Sequence, residues 1–270
     1  MSAGPSGLHS RRERDAPHCG ANDETRMSNI EGIPTQQTVE FIRSQVRPGG
    51  HILEVGCGDG EVAGALLHRG FDVTAIDADP ERVAKAQKRG VRAVTASWPD
   101  FDITAVDAIV FTRSLHHMSR LADSIEAAGS VLAPNGLLLV DDFAVESATE
   151  ETLNWFRNLI GTEPFRSVAK PHPDSFVEQL LASDSPMETF REHHTAHEVH
   201  PFDLMHRLIR ERFPNCSVQS VPYLYRYFAS AAVNADNSEE LVDEFLRRET
   251  EASKKQQISL IGRRIVSHFR

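Results

Sequence analysis

His51-Ile-Leu-Glu-Val-Gly-Cys-Gly-Asp-Gly60 constrains the fold more than any other stretch of this chain. An apolar run carrying one acid, Glu54, gives way to glycines at alternate positions, Gly56, Gly58 and Gly60. Glu61 to His68 follows, rich in helix formers, with Val62, Leu66 and Leu67 spaced as a helix face. The pattern reads strand, tight turn, helix: the opening of a nucleotide-binding α/β domain. Glycine lets the backbone turn sharply and approach a ligand closely. The helix behind it presents N–H groups with no intrahelical partner.

The flanking sequence repeats that alternation. Thr35 to Val46 has helical spacing and is stopped by Pro48-Gly49-Gly50. Strands are predicted at Ile52–Val55, Phe71–Ile76, Val91–Thr95, Val106–Phe111 and Leu137–Val140, with helices at Pro80–Lys88 and Leu121–Leu132. Strands alternating with helices mean a parallel sheet covered on both faces, and near-continuous apolar strands such as Leu137-Leu-Leu-Val140 fit that burial. From Phe143 to His200 the pattern breaks into helical pieces, Glu150–Ile160 and Phe176–Leu181, which reads as an inserted cap over the site. A helix from Pro201 to Phe213, a strand from Ser217 towards Ala232, a helix from Ser238 to Lys254 and a last strand within Ile258–Phe269 complete the sheet. The expected fold is a Rossmann-like, doubly wound, mostly parallel seven-stranded sheet with helices on both faces and a helical cap. The expected divisions are a disordered leader over 1–30, a cofactor-binding core over 31–143, the cap over 144–200 and sheet completion over 201–270.

Composition excludes several classes. The formal net charge of −10 disfavours a phosphate backbone as partner, so no nucleic acid is expected. No apolar run reaches the roughly 18 residues of a membrane helix, and no secretory signal opens the chain. Cys19, Cys57 and Cys216 are scattered and odd in number, which fits free thiols in the cytoplasm.

The ligand is narrowed by acids. Asp77 ends the second strand, where a carboxylate takes ribose hydroxyls. Glu54 and Asp59 put negative charge at the turn, which repels a pyrophosphate and welcomes a cation. The dinucleotide spacing fails because Glu61 stands where a third glycine belongs. A nucleoside bearing an amino acid and a sulfonium fits this charge pattern better than a dinucleotide.

Glu54-Val-Gly-Cys-Gly-Asp-Gly60 resembles the first motif of class I S-adenosylmethionine-dependent methyltransferases of the small-molecule type. Thr74-Ala-Ile-Asp77-Ala-Asp-Pro80 resembles their second, Val106 to His117 their fourth, and Leu132-Ala-Pro-Asn-Gly136 the turn that follows. The resemblance covers about Gln37 to Phe143 and implies S-adenosyl-L-methionine as cofactor. It implies that Glu54 and the backbone at Gly56, Cys57 and Gly58 line the methionine part. By the same resemblance Asp77 would bind the ribose hydroxyls and Ala78 would pack on the adenine. Ser97 stands where the family has an acid for the adenine amino group, with Trp98 beside it. By the same resemblance Arg113 would face the methionine end. Thr112-Arg-Ser-Leu115 replaces the tetrapeptide common in enzymes that methylate protein, RNA or DNA amines.

Methyl transfer needs the acceptor held in line and, for some acceptors, one base. His116 and His117, just past the fourth strand, are the candidate catalytic residues, with Asp141 and Asp142 as further candidates. Cys57 reads as a small turn residue, open also to a nucleophile's role. His193, His194, His197 and His200 form a second cluster that suits a substrate-contacting lid, a surface loop or a metal pair, and no metal is assigned. The expected activity is methyl transfer to a small molecule. The alternatives are a protein- or RNA-directed methyltransferase and a non-catalytic cofactor-binding domain.

Overall fold

The computed structural model describes residues 31–169, 175–232 and 237–269. The leader read over 1–30 lies outside them. In chain order the elements are α1 (Ile33–Gln45), β1 (His51–Val55), α2 (Glu61–His68), β2 (Asp72–Asp77), α3 (Pro80–Lys88), β3 (Arg92–Thr95), β4 (Val106–Thr112), α4 (Leu121–Val131), β5 (Leu132–Phe143), α5 (Glu150–Ile160), α6 (Phe165–Val168), α7 (Phe176–Ala182), α8 (Pro186–Ala196), α9 (Phe202–Arg212), β6 (Cys216–Val221), α10 (Leu224–Ala231), α11 (Ser238–Lys254) and β7 (Gly262–His268). The sheet order is β3-β2-β1-β4-β5-β7-β6. The pairings from β3 to β5 are parallel, and β7 is antiparallel to both β5 and β6. This is the expected mostly parallel seven-stranded, Rossmann-like sheet.

The strands are apolar on both faces because both faces are covered. Ala108 and Val110 of β4 pack with α1, α2 and α3 on one side. Ile109 and Phe111, which alternate with them, pack with α4 and α9 on the other. Each large side chain so buried contributes about 1.5–3 kcal/mol. Local signals set the boundaries. Asp79 caps α3 by accepting from the Glu81 N–H at 2.8 Å, and Pro80 opens that helix. Ala133 to Gly136 form an excursion within β5, seen as a register shift against β4 between Val106 and Ala108.

One expectation is overturned. The strand from Ser217 does not run to Ala232: it ends at Val221, and Leu224–Ala231 is helical. Pro222 has no N–H to continue the ladder. Tyr225, Tyr227 and Phe228 favour strand by propensity, but a distant carboxylate decides the matter. Glu249 of α11, fully buried, accepts from the N–H groups of Tyr223 at 2.7 Å, Leu224 at 3.0 Å and Tyr225 at 2.9 Å. It thereby satisfies amide donors that a helix start leaves without partners.

A third apolar cluster forms the helical layer above the ligand end of the sheet. It joins Leu153, Phe156 and Phe190 to Tyr223, Phe228 and Phe245, so it draws on chain both before and after β6. Among the described residues no helix is long and apolar enough to cross a membrane.

Candidate active site

The glycine turn is a close-packed device. Gly56 has φ 71° and a Cβ there would stand 2.6 Å from the Ser114 Cβ. Gly60 has φ 77° and its Cβ would meet the Ala86 Cβ at 2.6 Å. Only glycine adopts that backbone in that space without strain. The turn faces a cleft of about 540 Å³ at the carboxyl end of β1, β2 and β4, lined by Gly56, Gly58, Asp77, Ala78, Ser97, Trp98, Arg113 and His117. Arg82, Ser114 and Met118 also line it and were missed by sequence reasoning. The first-turn position of Arg82 in the helix after Asp77 was the available signal.

Asp77 is held rigidly. Its Oδ2 accepts from Gly58 N–H at 2.8 Å and its Oδ1 from Asp79 N–H at 3.0 Å. An ionised carboxylate offers about four lone-pair sites, so acceptor capacity remains for hydroxyls. Asp59, by contrast, is answered within the protein by Lys85 at 3.2 Å and Arg82 at 3.6 Å. The negative character read into the turn therefore rests on Glu54 and Asp77.

Glu54 is 1 % exposed. Its Oε1 accepts from Thr112 Oγ1 at 2.7 Å, while Oε2 has no hydrogen-bond partner among the described residues. Burial pushes its pKa up to about 7, against the pull of the Thr112 hydrogen bond, the Arg113 charge and the backbone amide of Ala63. Arg113 sits at φ 56°, and its buried Nη1 likewise has no partner among the described residues. Arg113 lines the cleft, whereas Glu54 lies behind its wall; each keeps one buried polar atom without a hydrogen-bond partner among the described residues.

Cys57 is a packed turn residue that does not line the cleft. Burial and the carboxylates of Glu54 and Asp77 push its thiol up to about 12, which leaves no thiolate for a nucleophile's role. Trp98 shows a lining face while its Nε1 donates to Ser124 O at 3.0 Å and its ring meets Phe111 edge-on at 6.5 Å. The adjacent histidines divide. His117 lines the cleft, and His116 is buried behind it with Nδ1 2.6 Å from Asp142 Oδ1. Burial lowers the His117 pKa, aided by the neighbouring His116. The His193 ring at the end of α8 and the His197 ring just beyond it lie 4.5 Å apart and tilted, whereas His200 sits further on with its Nε2 3.0 Å from Met118 O. Among the described residues no three His, Cys, Asp or Glu side chains converge as metal ligands.

Comparison with known proteins agrees with this architecture. A family model described as "Methyltransferase domain" matches residues 35–230. The chain belongs to this methyltransferase-domain family, and its fold is that of the class I S-adenosylmethionine-dependent enzymes. An uncharacterized methyltransferase of Mycobacterium bovis is 34% identical over 103 residues, 36% of this chain and 52% of that protein. The ubiquinone biosynthesis O-methyltransferase of Xylella fastidiosa is 33% identical over 114 residues, 38% of this chain and 46% of the relative. The chain thus spans about half the length of the curated relatives it matches. Among solved structures, geranyl diphosphate C-methyltransferase of Streptomyces coelicolor superposes with a TM-score of 0.54 at 14% identity, covering 87% of this chain and 77% of that one. A methyltransferase from an antibiotic biosynthesis pathway of Anabaena variabilis gives 0.52 at 16%, covering 86% and 96%. At these identities the likeness concerns the fold. S-adenosylmethionine is the family's cofactor, and the cleft beside the glycine turn, with the fixed Asp77 and with Arg113 in its lining, has the chemistry to receive it.

Proposed function

We propose that this protein transfers a methyl group from S-adenosylmethionine to a small-molecule acceptor, with His116 as the base. The observation that carries the reading is the buried His116–Asp142 pair at the ligand end of the sheet, beneath the helical layer. When bound, the cofactor supplies a methyl group activated by its sulfonium. Gly56, Gly58, Asp77, Ala78, Ser97 and the face of Trp98 hold the nucleoside side of the cleft. Glu54 and Arg113 hold the amino-acid end. Asp142 accepts the Nδ1 proton of His116, so the basic lone pair lies on Nε2, which makes no hydrogen bond among the described residues. His116 Nε2 then takes the proton that the acceptor loses, and Asp142 stabilises the imidazolium. His117 forms part of the cleft wall.

The covered reactive end and the acidic chain support a small acceptor over nucleic acid. The free thiols Cys57 and Cys216 support a reducing, cytoplasmic setting. Purified protein is incubated with cell extract and methyl-labelled cofactor, and the label is separated into small-molecule and macromolecular fractions. Label in the small-molecule fraction, lost with His116→Ala, is the expected result. Label in protein or RNA, or no transfer at all, overturns the reading.

A further inference from the structure

The chain that follows β4 makes a short 3₁₀ turn, Leu115–His117, flanked by Ser114 and Met118. Ser114, His117 and Met118 line the cofactor cleft. This wall stands close to the glycine turn: a Cβ on Gly56 would lie 2.6 Å from the Ser114 Cβ and 3.9 Å from the Met118 methyl carbon. We propose that His200, a residue between α8 and α9, is a positioning residue for the cofactor site, holding His117 and Met118 in the cleft wall from outside the cleft. The inference goes beyond the methyl-transfer reading and rests on the cofactor's place in this cleft alone.

The two ends of the turn are held differently. At its start the sheet holds it: Ser114 Oγ donates to Val55 O at 2.6 Å, and Leu115 is fully buried. At its end His200 grips it twice. The His200 main-chain N–H donates to His116 O at 2.9 Å, and its Nε2 lies 3.0 Å from Met118 O. A carbonyl oxygen only accepts, so Nε2 carries the proton and donates. Two donors of one residue thus take two carbonyls two positions apart and fix the backbone on either side of His117. The His197 main chain adds to this hold: burial lowers the His117 pKa, and a hydrogen bond with the His197 backbone opposes that in part.

The histidines that follow one another here therefore differ in what they do. His197 is exposed and directs its own Nδ1 to His193 O at 2.6 Å, so it offers the turn its main chain and not its ring. His200 offers the turn its ring. Pro201 disfavours a helical conformation at the residue before it, and His200 belongs to neither helix. A side chain of that reach without a donor would leave the Met118 carbonyl unanswered, whereas an amide would answer it.

The full chain is titrated calorimetrically with S-adenosylhomocysteine, and the Met118 methyl is followed by NMR of methyl-¹³C-methionine protein, its signal assigned by its loss in Met118→Leu. His200→Phe keeps a ring and removes the donor. It is expected to weaken S-adenosylhomocysteine about fivefold or more and to shift or broaden the Met118 signal. His200→Gln, which restores a donor, is expected to return affinity and signal to within about twofold of wild type and to the wild-type position. His197→Ala is expected to leave affinity within about twofold. If His200→Phe does not fold, His200→Ala takes its place with the same expectation. A smaller loss in the donorless variant, no recovery with Gln, or an equal loss in His197→Ala overturns the inference and leaves the cofactor assignment standing. Failure of the wild type to bind S-adenosylhomocysteine removes that assignment and this inference with it.

Discussion

His116 Nδ1 and Asp142 Oδ1 stand 2.6 Å apart with both side chains shut off from water, at 6 % and 0 % exposure. A carboxylate so placed fixes the imidazole tautomer and ring angle and supports the charge that forms when Nε2 accepts a proton. His116→Ala is expected to lower turnover by roughly 100-fold or more, the usual worth of a positioned base. Asp142→Asn is expected to do nearly the same with the fold intact. Calorimetry with S-adenosylhomocysteine should show affinity unchanged in both variants, which separates loss of the base from loss of the cleft.

Glu54 governs how the cleft responds to pH. Its pKa, raised to about 7 by burial, means that the carboxylate is half protonated near neutrality in the free protein. A cationic ligand favours the ionised form, so S-adenosylmethionine affinity is expected to fall as pH drops below about 7, with protons released on binding. Isothermal titrations at several pH values in buffers of different ionisation enthalpy read both effects. Glu54→Gln is expected to flatten the pH dependence and to weaken binding.

Asp141 is the clamp between distant parts of the chain. Its Oδ2 meets Arg226 Nη2 at 3.1 Å and Thr38 Oγ1 at 2.6 Å, and its Oδ1 meets Arg264 Nε at 3.2 Å. Burial pushes its pKa up, but the two arginines and the Thr38 hydroxyl outweigh that and hold it below the ordinary value. Its contribution to stability is therefore present above the ordinary carboxylate pKa and lost as pH falls through the depressed one. Asp141→Ala leaves Arg226 buried without its anion, at a cost of about 3–5 kcal/mol. A urea melt measures it.

Glu249 carries the opposite sign. Burial raises its pKa from 4.5 to about 7 despite three backbone donors. Its contribution is full below about 4.5 and declines as pH rises through about 7. Glu249→Ala frees the N–H groups at the start of α10 and is expected to cost on the order of 1–3 kcal/mol in a denaturant melt. The Tyr223 ring, 4.8 Å from Phe143, should then lose its fixed place beside the site. Glu249→Gln is expected to flatten the stability–pH curve between those limits.

What the sequence disclosed is what local chemistry controls. Gly56, Gly58 and Asp77 lie within one strand–turn–helix–strand unit, and their spacing alone predicts the cleft. Pro80 marks the start of α3 because proline's constraint is intrinsic to the residue. Long-range partnerships were less legible. Asp142 was a candidate by position, but nothing local tied it to His116 rather than to its neighbour His117. The α10 helix was misread because Tyr225 and Phe228 favour strand, while the Glu249 cap that overrides them lies more than twenty positions on. The helical layer was read as one insertion over 144–200, since only packing shows Phe228 and Phe245 joining Phe156 in one cluster. Arg113 was assigned to the methionine end, yet that its Nη1 has no partner among the described residues became visible only with its surroundings.

The most direct test of the central claim is calorimetric titration of the full chain with S-adenosylhomocysteine, wild type beside Asp77→Ala. Binding by the wild type, weakened at least about tenfold by the loss of an anchoring carboxylate, is the predicted result. No binding by the wild type, or equal affinity in the variant with its fold intact, would contradict the assignment of this cleft.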